Sequence, residues 1–128
     1  MSLLDIDIGR FVLDQINSLR RMHGRWDLQE DGQLSGWAWE HIKWILRHGK
    51  GICHPEKGEL GDAQTENIFS GSCQDPYSFA VHNIYHGDDA HLHNFLREDI
   101  AAHGVAIYTQ EYFNRYLMIF AWRARKNS

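Results

Sequence analysis

The sequence predicts an α+β domain in which helices cover a small, mainly antiparallel sheet. Three observations carry this. Apolar residues recur at helical spacing through the first third of the chain. The last third alternates apolar and polar residues and is rich in β-branched and aromatic types. Between them lie one short strand-like run and two segments that open with helix-capping residues. A chain of 128 residues with 43% hydrophobic content and five tryptophans suits one packed core. It shows no internal repeat or low-complexity segment, so residues 1–128 are read as one domain.

The first helix is read in "IGRFVLDQINSLRRMHG". Phe11, Val12, Ile16, Leu19 and Met22 form one apolar face with charge behind it, and Gly24 supplies the stop. "WDLQEDGQ" is a turn-rich connector. A second helix follows from about Gln33 to His48. Leu34, Ala38, His41 and Ile45 share a face, and "HGKG" ends it. Residues 49–64 carry four glycines, a proline and mixed charge, which is loop composition. "TENIFSG" reads as a strand that stops at Gly71. "DPYSFAVHNIYHG" starts as a helix capped by Asp75, with Pro76 at its first position. "DDAHLHNFLRED" starts another, capped by Asp88 or Asp89. "GVAIYTQ" and "RYLMIFAWR" then alternate as two strands, with "EYFN" between them as the hairpin loop.

A net charge of -4 argues against sequence-independent nucleic-acid binding, which needs clustered Lys and Arg. The one dense basic cluster, "RARK" at Arg123 to Lys126, reads as a solvated tail. No apolar run approaches the ~18 residues of a membrane span. The opening "MSLLDIDIGRF" lacks a basic start, and acids interrupt its apolar residues, so it does not read as a signal peptide. Two cysteines, Cys53 and Cys73, sit outside any CxxC. They form either a disulfide, worth about 3 kcal/mol of loop entropy, or two free thiols.

The residues able to do chemistry are histidines and acids. There are nine histidines. His23, His48 and His103 lie beside glycines at expected element ends and read as structural, as does His41 on the apolar face of the second helix. His91 and His93 would diverge by about 200° on a helix, so only one faces a shared pocket. His54 lies in a loop that can aim it at a cleft. Glu66 opens the middle strand beside Asn67. Imidazoles with carboxylates suit zinc and also proton transfer near neutral pH. The spacing is too long for a local metal motif, so both uses stay open.

Five pieces in order resemble the CAP superfamily of cysteine-rich secretory proteins, venom antigens and plant pathogenesis-related proteins, most closely its short bacterial members. "INSLR" resembles the N-x-x-R of the first helix, with Asn17 and Arg20. "CHP" resembles the loop histidine after the second helix. "TENIFSG" resembles the E-N-[IL] strand, and "YHGDDAHLHNFL" the bacterial W-x-x-S-x-x-H-x-x-N-[IL]-L. "HGVAIY" with "YLMIFAW" resembles the closing strands. The resemblance implies an α-β-α sandwich with helices on both faces of the sheet.

It also implies a cleft lined by His54, His91 and Glu66, with His54 and His91 as ligands of zinc or another divalent cation. Tyr85 stands where the family has tryptophan, and Asp88 stands where short bacterial members carry serine. Asp88 is thus either a fourth member of the site or a helix cap. The family implies an extracellular or periplasmic location if a leader is removed, against a cytoplasmic or phage-encoded alternative. Three functions follow. The first is a binding domain with a metal-capable cleft and a protein or small-molecule partner. The second is a hydrolase with Glu66 as general base. The third is a lipid or sterol carrier.

Overall fold

A computed structural model of the chain describes residues 3–49 and 65–126, with side chains from residue 8 onward. Helix α1 spans Leu3–Met22 and is followed by a short strand, β1, at Gln29–Glu30. Helix α2 is Gly32–His48. Strand β2, Thr65–Cys73, precedes α3 (Pro76–His86) and α4 (Asp89–Phe95). Strands β3 (Ala102–Tyr112) and β4 (Arg115–Arg125) complete the fold. The sheet order is β1-β3-β4-β2. Among the described strands β1 and β3 pair in parallel and the other pairs are antiparallel.

Strand alternation divides the core into two layers. On one face Phe69, Val105, Ile107, Phe120 and Trp122 meet Val12 and Ile16 of α1, Ala80 and Ile84 of α3, and Phe95 of α4. On the other, Ile68, Ala106, Ile119 and Ala121 meet Ala38, Ile42 and Ile45 of α2. The sandwich is therefore asymmetric, three helices against one. Residues that face neither layer drop out. Met22, expected on the apolar face of α1, is 70% exposed.

The expected caps are present. Asp75 accepts from Tyr77 N–H and precedes Pro76 at the start of α3. Asp88, not Asp89, caps α4 by accepting from His91 N–H at 2.9 Å. Gly49 closes α2 with φ 63°. Two boundaries differ from expectation. β2 passes through Gly71 to Cys73, because Gly71 is the place where the Phe79 ring lies against the strand; a Cβ there would sit 2.8 Å from Phe79 Cε2. The hairpin loop shrinks to Phe113 and Asn114, at φ 49° and 63°. These left-handed values suit a two-residue turn matched to strand twist. Asparagine accepts such a φ readily; phenylalanine does so only at an exposed tip, and Phe113 is 94% exposed.

The connector between α1 and α2 is held by two α1 side chains. Asn17 Nδ2 donates to Leu28 O at 3.1 Å, and Leu28 N–H donates back to Asn17 Oδ1 at 2.8 Å. Arg20, fully buried, donates from Nε to Trp26 O, and from one terminal nitrogen to Phe95 O and Arg97 O. One guanidinium thus fixes both the connector and the end of α4. Burial and nearby Arg25 push its pKa below the usual value. Cys73 is a buried free thiol whose pKa is raised by burial. Cys53 lies outside the described residues.

Candidate functional site

The expected site residues divide between the two layers. Glu66 alternates with Ile68 and so faces α2, whereas Asn67 and Phe69 face α4. Glu66 is cross-strand partner to Arg123. Arg123 Nε donates to Glu66 Oε1 at 3.3 Å, and both side chains are 2% exposed. The pair is held within the sheet–α2 layer. Arg123 accordingly belongs to β4 and this buried pair, and is not part of a solvated tail.

His91 lies on the opposite layer, in the first turns of α4. Its ring packs on Phe69 with centroids 4.4 Å apart. Its Nδ1 lies 3.1 Å from Asp88 Oδ1, the same oxygen that caps the helix. Asp88 therefore serves as a cap and as the carboxylate neighbour of His91. His93 turns away, as helical geometry requires, to a shallow surface depression that includes Asp89 and Arg97. His54 and its segment, residues 50–64, lie outside the described residues.

The asparagines beside these residues, given no role from sequence, hold the site together. Asn67 is fully buried and donates to His91 O at 2.8 Å. Asn94 Nδ2 donates to Asn67 Oδ1 at 2.9 Å and lies 3.4 Å from Glu66 O. Thus "ENI" and "HNFL" are two halves of one buckle between β2 and α4. The signal was the motif pair itself, an amide three residues after a histidine and another following an acid. Tyr85 reaches back to α1, donating to Gln15 Oε1 at 3.0 Å.

His103 and His41 are core residues. The Trp122 indole N–H donates to His103 Nδ1 at 3.1 Å, which leaves the ring neutral with its proton on Nε2. Burial, aided by the charge of Arg20, lowers the His103 pKa to about 3. Among the described residues no group of three or more His, Cys, Asp or Glu side chains is placed to hold a metal. His91 and Asp88 supply two donors of suitable type, fewer than the three protein ligands typical of an open zinc site.

A separate cleft of about 320 Å³ opens between α1 and α2 over β3. Its lining includes Gly9, Leu13, Gly36, Trp39 and Ile107. The volume is at the lower end of the roughly 300–1,000 Å³ seen for small-ligand pockets. Nothing in the sequence marked it; Gly9 and Gly36 contribute only space to its walls. Among the described residues no helix is long and apolar enough to cross a membrane.

Solved structures repeat this architecture. An outer surface protein of Borrelia burgdorferi superposes with a TM-score of 0.65 at 14% identity, covering 99% of this chain and 96% of its own. An extracellular protein containing a SCP domain from Bacillus anthracis gives 0.67 at 18% identity over 95% of this chain. The chain spans only 41% of that protein. Venom allergen-like protein 4 of Schistosoma mansoni gives 0.59 at 12% identity, covering all of this chain and 92% of its own. At such identities the likeness shows the fold. No curated protein matches the sequence. The sequence profile of the cysteine-rich secretory protein family, CAP, matches residues 13–121. With the α-β-α sandwich and the matched span in agreement, the chain belongs to the CAP family.

Proposed function

We propose that the chain is an extracellular interaction domain that binds a divalent cation through His54 and His91 beside Asp88, and that Glu66 has a structural role. The cation reading draws on His91 Nδ1 lying 3.1 Å from Asp88 Oδ1, and the structural role of Glu66 on its pair with Arg123, buried on the α2 side of the sheet while His91 packs on the α4 side. A general base must reach the water it activates. A carboxylate 2% exposed and held by a guanidinium is poorly placed to do so. That weighs against the hydrolase. The extracellular assignment draws support from the Borrelia outer surface protein and the Bacillus extracellular protein that share the fold.

The cation site needs His54 as its third donor. A bound zinc ion would offer a partner's carboxylate or carbonyl a positive anchor at the α4 end. The test is isothermal titration of zinc into metal-free protein near neutral pH, beside the His54→Ala/His91→Ala double variant. Binding that disappears in the variant supports the shared site. Equal or absent binding in both removes the metal chemistry.

One observation favours a second reading, the lipid carrier: the cleft between α1 and α2 has an apolar lining. Saturable uptake of a fluorescent fatty acid or sterol is its requirement.

A further inference from the structure

His82 and His86 have no part in the candidate site. Both are exposed on α3, four residues apart. Residues at i and i+4 lie one above the other on a helix, with Cβ atoms about 5–6 Å apart. The rings follow, with centroids 5.6 Å apart and planes 32° from each other. The helix beneath them is fixed. Asp75 and Pro76 start it, and Ala80 and Ile84 on its other side are 0% and 1% exposed against the core. The two imidazoles therefore project from a rigid element.

The other described histidines do not offer this. His91 and His93 point apart. His41 and His48 share a face of α2, but Trp44 stands between them and stacks on His48 with centroids 4.2 Å apart. His48 Nδ1 also donates to Trp44 O at 2.8 Å. His103 is in the core. The rings of His82 and His86, by contrast, have no hydrogen-bond partner among the described residues. Neither has to give up a bond before taking a ligand.

The surroundings decide the class of ligand. The rings border a shallow depression of about 390 Å³ with Phe11, Tyr77, Ser78 and Val81. No carboxylate is among these residues, so Mg²⁺ and Ca²⁺, which take oxygen ligands, are poorly served. Imidazole suits copper, nickel and zinc, and affinity in that series peaks at copper(II). Two rings sharing one ion at about 2.1 Å from each nitrogen have centroids about 5 Å apart. The observed spacing is within a small side-chain rotation of that. Two donors make a weaker site than the three of an open zinc centre. Chelation offsets this, because the second ring meets an ion already held by the first, which raises affinity by about a hundredfold or more.

We propose that His82 and His86 form a surface chelate site for a divalent transition-metal ion, copper(II) ahead of nickel(II) and zinc(II), with water in the remaining positions. The site shares no donor with the one proposed at His54 and His91, and neither depends on the other.

The experiment is isothermal titration of copper(II) near neutral pH into the natural chain, His82→Ala, His86→Ala and the double variant His86→Ala/Ser78→His. Ser78 is exposed one turn before His82, so the double variant rebuilds an i, i+4 pair one turn earlier. The His54→Ala/His91→Ala chain is titrated in parallel, and the natural chain also in the presence of excess magnesium. All three altered positions on α3 are exposed, so metal-free Tm is expected to be unchanged. Each single change is expected to weaken the site about a hundredfold. Ser78→His is expected to restore most of that loss. Removing His54 and His91, or adding magnesium, is expected to leave the site intact.

Absence of copper(II) binding by the natural chain overturns the proposal. So does binding unchanged in either single variant, or binding lost only with His54 and His91. A loss that Ser78→His does not recover overturns chelation by helical spacing. Displacement of copper(II) by magnesium overturns the class of ion.

Discussion

Glu66 and Arg123 face each other across β2 and β4 with Nε and Oε1 3.3 Å apart and both side chains 2% exposed. Breaking a buried ion pair by removing one partner costs about 3–5 kcal/mol. Glu66→Gln is therefore expected to lower stability by about 3 kcal/mol in urea unfolding. Replacing both residues by methionine should cost much less than the sum of the single changes. Additive losses in this double-mutant cycle would show that the two do not act as a pair.

His103 sets an acid limit on stability. Its folded pKa of about 3 lies below the ordinary value of 6.5. The unfolded state therefore binds the proton first. The stability tied to the neutral ring is complete above pH 6.5 and is lost as the pH falls towards 3. His103→Gln keeps an acceptor for Trp122 and removes this titration. The stability advantage of the natural chain over the variant should shrink by about 1.4 kcal/mol per pH unit below 6.5. A constant difference between pH 7 and pH 4.5 would contradict the burial argument.

Arg20→Lys tests the clamp. Lysine keeps the charge but cannot span Trp26 O, Phe95 O and Arg97 O with one rigid fork. A loss of about 2 kcal/mol is expected, given that hydrogen bonds from charged groups contribute about 1.5–3 kcal/mol. Hydrogen exchange in the last turn of α4 should quicken. An unchanged α4 would mean that its end is fixed by other contacts.

Gly104→Ala tests the seat of α2. A Cβ there would collide with Ser35 N and lie 2.8 Å from Asp31 O, both backbone atoms at the helix start. Backbone cannot move aside as a flexible side chain can, so the expected cost is at the upper end of the 1–3 kcal/mol range for overpacking, about 3 kcal/mol. Gly36→Ala, in open space on the same helix, should be neutral or stabilising by up to about 1 kcal/mol. Thermal melts of the two variants give opposite signs if the packing is as described.

Much of the fold is legible in the residues. Asp75 with Pro76, Gly49, and the alternation of "YLMIFAW" each state their element locally, and the ordered family motifs add the sandwich. The site was less legible. His91 and Glu66 are both motif residues, yet period-two alternation in "ENIF" puts Glu66 on the Ile68 face and Asn67 on the Phe69 face. Which face meets α4 depends on tertiary packing. β1 is two residues long, too short for any periodicity. The turn at Phe113 and Asn114 lacks the glycine that usually marks a left-handed pair. The cleft between α1 and α2 owes part of its space to Gly9 and Gly36, which carry no pattern of their own.

The sheet order has a consequence for how the chain acquires its structure. β4, the latest strand in the sequence, stands between β2 and β3. Arg20 on the first helix waits for carbonyls 75 and 77 positions later. During synthesis the earlier segments therefore leave the ribosome with no sheet to join, and Arg20 has Trp26 O but not yet Phe95 O and Arg97 O. Little native structure can accumulate until the final strand is available. The domain is expected to fold in a single late event, only once β4 has been made, with its apolar helix faces exposed until then.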